Sequence, residues 1–137
     1  TPLVAQWKGK IRPGSVSSHI GAFWDVAPTF LELAGAEFIS HSDGISFVPT
    51  LLGRTQQKTH DYLYWEFYER GFDQAVRKGH WKAVRLGRQN NRLELYDLNK
   101  EMGEQTDLAA QFPKVAEEMG RIMDTAPTKS PIFPLKR

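Results

Sequence analysis

The chain has 137 residues, 40% of them hydrophobic, no cysteine and a formal net charge of +2. This size and apolar content suit one compact unit with one hydrophobic core, and no apolar run reaches the roughly 18 residues of a membrane-spanning helix. The absence of cysteine excludes a disulfide framework, a CxxC zinc site and a thiol nucleophile within the chain. The chain starts at Thr1-Pro2 without a methionine and runs directly into apolar residues, so we expect it to be cut from inside a longer protein.

Positive charge is concentrated between residues 70 and 92, where Asp73 is the single acidic residue. We call this stretch the basic band; its cations are Arg70, Arg77, Lys78, Lys82, Arg85, Arg88 and Arg92. Such a band raises the local potential for anionic ligands, whether sulfated sugar, nucleic acid or lipid headgroup. It is also typical of a solvated sheet face on which the arginines are paired, and the sequence leaves both interpretations open.

A helix is predicted over residues 26–34. Asp25 can cap it through its carboxylate, Pro28 is tolerated in the first turn because its missing N–H costs nothing there, and Gly35 suits the exit. Apolar residues cover most of the helix surface, so we expect it to be buried on more than one side.

Around this helix the sequence is less regular. Residues 3–7 are apolar and typical of a short buried strand in a parallel sheet, although the chain supplies no neighbouring strands for it. Residues 36–60 are expected to be loop, with one short turn of helix near Pro49 that Gly53 closes.

The second half of the chain predicts four consecutive strands. Aromatic residues dominate residues 62–68, which favours a strand because rings pack well on a pleated surface. Two further strands, residues 74–77 and 80–86, are joined by a tight turn in which Gly79 can take a positive φ. A fourth strand is predicted over residues 93–98. Consecutive strands of this kind predict an antiparallel sheet.

A C-terminal helix completes the predicted architecture. From Pro113, apolar residues recur at helical spacing until Pro127 ends the pattern, so the helix is amphipathic and the sheet is its natural partner. Pro131 and Pro134 mark an extended tail. The predicted fold class is α+β: a four-stranded antiparallel sheet packed by a C-terminal helix, preceded by a strand and a helix.

No catalytic or metal-binding motif emerges from the residues alone. The four histidines form no HxxxH or HExxH pair, and the sequence has neither a glycine-rich phosphate loop nor a GxSxG nucleophile turn. The adjacent carboxylates Glu117 and Glu118 lie on a predicted solvent face. Residue chemistry therefore predicts an α+β domain with an aromatic, basic sheet and assigns it no activity.

Five segments, in order along the chain, resemble the C-terminal third of the sulfatase family. Residues 1–14 read TPLVAQWKGKIRPG, similar to the family's apolar strand, Trp-Pro-Gly-Lys-Ile turn and Pro-Gly loop. Residues 25–35, DVAPTFLELAG, resemble its Asp-x-x-Pro-Thr helix, and residues 43–53, DGISFVPTLLG, its Asp-Gly-x-Ser-Leu-x-Pro segment. Residues 74–85, QAVRKGHWKAVR, resemble its hairpin, and residues 94–98, ELYDL, the strand before its final helix.

The chain departs from the family pattern in turns. Lys8 replaces the usual proline after Trp7, and Asp107 stands where the family usually has asparagine before Leu-Ala. The Asp-Pro-x-Glu turn that usually follows the last strand is replaced by residues 99–104. We expect these departures to alter local conformation and not family membership.

The resemblance implies a domain division and a set of cofactors. Residues 1–56 would be the end of the α/β catalytic domain, with the first strand and helix left from that core, and residues 57–137 the C-terminal subdomain. The family hydrolyses sulfate esters with a calcium ion and a formylglycine made from Cys or Ser in a Cys/Ser-x-Pro-x-Arg motif. This chain has no Cys, and Ser130-Pro131 has the wrong spacing.

We therefore expect no catalytic residue, metal ligand or cofactor within this chain and no activity of the chain alone. Calcium and formylglycine are expected in the full-length enzyme, whose N-terminal α/β domain would be the chain's main partner. The resemblance leaves the periplasm, the cell exterior and the lysosome open as compartments.

By resemblance, the C-terminal subdomain can line the mouth of the catalytic cleft. The candidates for contacting a sulfated small molecule or glycan there are His60, Trp65, Glu66, Tyr68 and Arg70. An aromatic ring can stack on a sugar, while arginine and histidine can hold an anionic group. Trp65 and Tyr68 also fit a second interpretation, as core or domain-interface residues, because rings bury large areas.

Three functional hypotheses follow. The first is the C-terminal part of a sulfuric ester hydrolase that acts on a sulfated carbohydrate. The second is a non-catalytic module that binds anionic glycans through the basic band. The third, a nucleic-acid binder, is the weakest, because no RNP, KH or helix-turn-helix signal accompanies the charge. A former interface, once exposed, would also allow the chain to dimerise.

Overall fold

The computed structural model describes residues 2–37, 41–69, 71–87, 92–128 and 132. The chain forms two compact units: unit 1 comprises residues 1–60 and unit 2 residues 61–137. The α+β fold class is confirmed, with the sheet and its covering helix in unit 2 and short helices in unit 1. The tail marked by Pro131 and Pro134 lies outside the described residues. None of the helices in these described stretches has the length and apolar character that crossing a membrane requires.

Unit 1 is built around one helix. A single 3-10 turn, Phe23–Asp25, leads directly into helix α1, Val26–Ala34. Helix α1 ends at Gly35, which takes a left-handed φ of 65°. A short second helix, α2, spans Val48–Leu51 and has Pro49 in its first turn. These bounds confirm the predicted helix and the predicted short turn.

Two expectations for unit 1 are wrong. Residues 3–7 form no strand, and Leu3 is 65% exposed. A parallel strand is stable only when neighbouring strands hydrogen-bond to it, and the described part of unit 1 contains none. Helix α1 is not buried on several sides, because Phe30 is 65% exposed and the buried helix residues are Pro28 and Thr29. An apolar pattern reports which surface favours burial, not whether another element covers it.

Unit 2 is an antiparallel meander covered by a helix. Its strands lie side by side in sequence order, and each neighbouring pair is antiparallel. The elements are β1 Leu63–Phe67, β2 Asp73–Lys78, β3 Trp81–Arg85, β4 Leu93–Asp97 and α3 Pro113–Thr125. Gly79, in the turn between β2 and β3, has a positive φ of 59° as predicted. The four predicted strands and the predicted C-terminal helix are all confirmed.

The core of unit 2 lies between one face of the sheet and α3. Val76, Ala83 and Leu95 are opposite one another in register on three neighbouring strands, and all three are fully buried. Met119 and Met123, one helical turn apart on α3, belong to the same buried cluster. Because side chains alternate along a strand, the register that builds this core also decides which polar residues share its face.

Asp107 protects the outer edge of β4. Its Oδ1 accepts the backbone N–H groups of Leu95 at 3.1 Å and Ala109 at 2.9 Å, and its Oδ2 accepts from the Arg92 guanidinium at 3.0 Å. The Leu108 N–H donates to the Leu95 carbonyl at 2.8 Å. Without such contacts an edge strand exposes unpaired backbone groups. Burial alone would raise the pKa of Asp107, but the backbone donors and Arg92 lower it below its ordinary value of 3.8.

Replacing Asp107 by alanine should lower the free energy of unfolding by about 1–3 kcal/mol at neutral pH, because two backbone N–H groups lose their acceptor. Asp107→Asn is the matched variant and should cost less, since its amide oxygen can still accept both bonds. Because the folded-state pKa is lowered, the contribution of the carboxylate is complete above 3.8 and is lost as the pH falls below that value.

Urea denaturation of the three proteins at about pH 7 and about pH 2.5 measures this difference. A gap between the wild type and Asp107→Ala that does not narrow in acid would contradict the lowered pKa.

Candidate functional site

A buried carboxylate, Asp25, holds the candidate residue His60 and the loop that precedes α2. Asp25 is fully buried, and its Oδ1 accepts the N–H of Ile45 and contacts His60 Nε2, both at 2.8 Å. Its Oδ2 accepts the N–H of Ala22 at 2.7 Å. One side chain therefore ties three separate segments of unit 1 together, and its buried oxygens are satisfied.

The predicted capping role of Asp25 is wrong. Asp25 occupies the N-cap position of α1, but its side chain makes no capping bond. Its φ and ψ of −77° and −16° are already helical, whereas a capping residue usually has an extended backbone. The carboxylate therefore turns back to Ala22 and across to Ile45 instead of forward into the helix.

Thr29 and Gly44 bring the loop before α2 against α1. Thr29 Oγ1 donates to the carbonyl of Asp25 at 2.6 Å and accepts the N–H of Phe47 at 3.0 Å. At Gly44, a Cβ atom would lie 2.3 Å from the carbonyl oxygen of Trp24, so a larger residue would force the backbone apart. The hydrogen bonds of Thr29 and the close approach of Gly44 to the Trp24 carbonyl thus hold the loop before α2 in position.

His19 lies beside this cluster. Burial lowers the pKa of His19; the Asp25 carboxylate opposes the shift, and His60 adds to it. The Nε2 atom of His19 is buried and has no hydrogen-bond partner among the described residues. Despite this gathering of two imidazoles and a carboxylate, the described parts of the chain contain no group of three or more His, Asp or Glu side chains placed to hold a metal ion.

In unit 2, two of the predicted site residues are joined directly. The Tyr68 hydroxyl donates to Glu66 Oε2, and the Tyr64 hydroxyl donates to Glu66 Oε1 at 2.6 Å. Glu66 is half-buried and Tyr68 is 39% exposed. The Phe72 ring lies 5.4 Å from the Tyr68 ring, and Phe72 takes a left-handed φ of 74° that costs a non-glycine residue about 1–2 kcal/mol. Within the loop after β1, Phe72 thus has a strained backbone conformation, and its ring contacts Tyr68.

Two of the remaining predicted residues, Trp65 and His60, lie in the described part of the chain. Trp65 is adjacent to Glu66 in β1, so the alternation of side chains directs it to the opposite face of the sheet. His60 belongs to unit 1, where Asp25 holds it. Arg70 lies outside the described residues. The structure therefore brings Glu66 and Tyr68 together, directs Trp65 to the opposite face of the sheet, and gives His60 a partner within unit 1.

Gln74 is a residue beside this pair that sequence reasoning missed. It is 5% exposed; its Nε2 donates to the Tyr64 hydroxyl at 2.7 Å and to the Met123 carbonyl at 2.9 Å. Its Oε1 accepts from Arg85 at 3.1 Å. A signal existed in the sequence, because alternation along β2 places Gln74 on the same face as buried Val76. A polar side chain on a core face requires partners.

Four of the seven cations of the basic band are paired with carboxylates. The pairs are Lys78 with Glu118, Lys82 with Glu104 at 2.6 Å, Arg85 with Asp124 at 2.9 Å and Arg92 with Asp107 at 3.0 Å. Arg77 donates to the Gly79 carbonyl at 3.2 Å, and Arg70 and Arg88 lie outside the described residues. The four acids all come from residues 104–124, so these four cations lack acidic neighbours only in the sequence. This pairing favours a solvated sheet face over an anion-binding surface.

A family model described as N-sulphoglucosamine sulphohydrolase, C-terminal, matches residues 1–127. The chain belongs to this family. The resemblance to the C-terminal part of the sulfatases, first indicated by five short segments, is thereby confirmed over nearly the whole length of the chain.

Two curated sulfatases of Bacteroides thetaiotaomicron are similar to this sulfatase segment. An N-acetylglucosamine-6-O-sulfatase is 27% identical over 133 residues, which cover 90% of the chain and 24% of that protein. A Delta 4,5-hexuronate-2-O-sulfatase is 32% identical over 115 residues, 77% of the chain and 23% of that protein. A solved 2-O GAG sulfatase superposes with a TM-score of 0.66 at 33% identity, over 74% of the chain and 23% of its own. The sulfatase segment thus spans about a quarter of these relatives.

Replacing Asp25 by alanine should destabilise the sulfatase segment by about 3 kcal/mol or more, because two backbone N–H groups and an imidazole lose a buried acceptor. Asp43→Ala is the matched control; Asp43 is exposed, so its loss should change stability by less than about 0.5 kcal/mol. Thermal denaturation measures the global effect, and amide hydrogen exchange at Ile45 measures the local one. Equal losses in the two variants, or unchanged protection at Ile45, would show that Asp25 does not hold this loop.

Proposed function

We propose that the full-length protein hydrolyses sulfate esters of a carbohydrate, and that this chain is its C-terminal part, without catalytic activity of its own. The family match over residues 1–127 carries the proposal. Relatives whose names identify them as an N-acetylglucosamine-6-O-sulfatase and a hexuronate-2-O-sulfatase support a sulfated sugar as the substrate. A third relative, an ulvan-active sulfatase of Formosa agariphila, is 43% identical over 63 residues, 46% of the chain and 12% of that protein.

The catalytic groups of such an enzyme are assigned to the remainder of the full-length protein. The chain has no Cys/Ser-x-Pro-x-Arg motif, and its described residues contain no metal-ligand cluster, so they do not fit formylglycine or calcium. No catalytic step is therefore assigned to any residue of this chain. Its proposed contribution is to complete the substrate-binding surface and to pack on the part that carries the chemistry.

The exposed apolar side chains of unit 1 support this packing. Val4 is 94% exposed, Phe23 88% and Phe30 65%. Isolated apolar residues on a surface are ordinary, but several bulky ones on one short unit are typical of a surface that another part covers. We propose the N-terminal remainder of the same polypeptide as that part, since the relatives are about four times as long as the matched segment. A dimer through the same surface is the competing outcome.

Glu66 and Tyr68 are the residues that we propose for direct contact with the substrate. They are hydrogen-bonded to each other, Tyr68 is exposed and Glu66 is half-buried, and a carboxylate and a phenol both bind sugar hydroxyls well. Trp65, His60 and Arg70 stay candidates from the sequence. His60 is the weakest of these candidates, because its Nε2 is already hydrogen-bonded to Asp25.

Sulfate release by the full-length protein tests the proposed function. The gene upstream of Thr1 should encode a Cys/Ser-x-Pro-x-Arg motif, and the purified full-length protein should release sulfate from N-acetylglucosamine 6-sulfate or from a Δ4,5-hexuronate 2-sulfate. The 137-residue chain alone should release none. Alanine at the Cys or Ser of the motif is the matched control and should lower the rate by at least about 10³-fold.

A full-length protein without the motif and without sulfate release would overturn the proposal. In that case retention of the chain on heparin resin at about 0.3 M salt, where diffuse charge is screened, would favour the anionic-glycan module instead. The carboxylate pairing of four of the seven basic-band cations argues against such retention.

A further inference from the structure

We propose that Glu66 recognises a hydrogen-bond donor of the substrate's sugar, a hydroxyl or ammonium group, and that a row of polar side chains positions it for this contact. The row consists of Arg85, Gln74 and Tyr64, and we call it the donor relay. The inference rests on the proposed function, because it names the chemical group that the proposed substrate would offer to Glu66.

Every link of the donor relay is a hydrogen bond within unit 2. Arg85 donates to Gln74 Oε1 at 3.1 Å, Gln74 Nε2 donates to the Tyr64 hydroxyl at 2.7 Å, and the Tyr64 hydroxyl donates to Glu66 Oε1 at 2.6 Å. Asp124 holds the guanidinium of Arg85 at 2.9 Å. The relay thus runs from α3 across three strands to the carboxylate.

The direction of these bonds is fixed by chemistry. Arginine has donors only, so Gln74 must present its oxygen to Arg85. The Gln74 Nε2 then faces the Met123 carbonyl, which can only accept, and the Tyr64 hydroxyl. With its oxygen accepting from Gln74, the Tyr64 hydroxyl has one proton left, and this proton goes to Glu66. Burial is the main cause that raises the pKa of Tyr64, so the phenol keeps this proton.

The sheet itself holds the relay in place. Glu66 is opposite Gln74 in the register of β1 and β2, and Gln74 is opposite Arg85 in the register of β2 and β3. Glu66, Gln74 and Arg85 are thus directly opposed on three hydrogen-bonded strands, and the backbone sets the spacing between them. A side chain held by such neighbours loses little conformational freedom when a ligand binds, which favours binding.

The remaining capacity of Glu66 determines the ligand. An ionised carboxylate has about four acceptor positions, and the two tyrosine hydroxyls occupy one on each oxygen. Two acceptor positions are therefore left for a ligand, and Glu66 is half-buried, so part of the residue is exposed to solvent. A carboxylate with no donor of its own repels the sulfate of the substrate and attracts hydroxyl or ammonium groups. Glu66 therefore fits the sugar part of a sulfated glycan and not its sulfate.

Two tyrosines of the same sheet provide a matched test. Tyr64 donates to Glu66 and Tyr96 donates to Glu94, each to the carboxylate two positions away, at 2.6 Å and 2.7 Å. Tyr96 lies outside the donor relay. In the full-length enzyme, Tyr64→Phe should raise KM for the sulfated sugar by roughly 10-fold with a smaller change in kcat. Tyr96→Phe should leave both constants within about 2-fold of the wild type.

A second substrate separates positioning from general damage. 4-Nitrophenyl sulfate has no sugar hydroxyl or ammonium group, so Tyr64→Phe should raise its KM less than that of N-acetylglucosamine 6-sulfate or the Δ4,5-hexuronate 2-sulfate, whichever the enzyme hydrolyses. Glu66→Gln, which keeps the shape and removes the charge, should show the same preference. Melting temperatures of all variants are measured in parallel to exclude unfolding.

Each outcome is decisive. Equal KM changes in the two tyrosine variants, equal changes on both substrates, or no change in Glu66→Gln would overturn the donor relay while the sulfatase activity stands. Absence of sulfate release by the unchanged full-length protein would instead overturn the proposed function, and this inference with it.

Discussion

The register of the antiparallel meander is the constraint on which unit 2 depends. Because side chains alternate, a slip of one residue between β1 and β2 would turn Glu66 to the opposite face and bring Trp65 to the side that α3 covers. The same register places Val76 opposite Ala83 and, two residues away, Gln74 opposite Arg85. The apolar core and the polar row beside it are therefore consequences of one backbone arrangement.

Burying a polar row at the margin of a core is costly unless its members satisfy one another. Gln74 meets this condition, since both its amide nitrogen and its oxygen have partners. Arg85 meets it in part, because its Nε is buried without a partner among the described residues. Such a row adds less stability than apolar packing of the same volume, but it specifies how a charged side chain is oriented. A binding surface needs charged side chains whose orientation is specified in this way.

Unit 1 is organised differently, by a buried polar centre. Asp25 and Thr29 are buried at the start of α1, and each accepts a backbone N–H from the loop before α2. Large apolar side chains of the same unit, Phe23 and Phe30 among them, are exposed. A unit with a buried polar centre and several large apolar residues exposed is typical of a piece that packs on something larger, and relatives about four times as long are consistent with this.

Much of the fold could be predicted from the sequence, because its signals are local. The strands β1 to β4, the turn at Gly79 and the helix that starts at Pro113 each follow from residues within one element and its turns. The predictions that failed depend on which other parts of the protein lie against a segment. Residues 3–7 have the composition of a strand, but the described part of unit 1 contains no strand to pair with them, and Phe30 has the pattern of a buried residue but is 65% exposed.

The candidate site was less accessible to sequence reasoning. Glu66 and Tyr68 were identified as residue types, and alternation alone separates Trp65 from them, but their hydrogen bonds were not predictable. The sequence by itself determined the family, the order of elements and the faces of the strands. Tertiary structure decided which polar groups meet: Asp25 finds partners 20 and 35 residues away, and Arg85 finds its acid 39 residues away. Propensity and periodicity act over a few residues, whereas such contacts exist only once the chain has brought distant segments together.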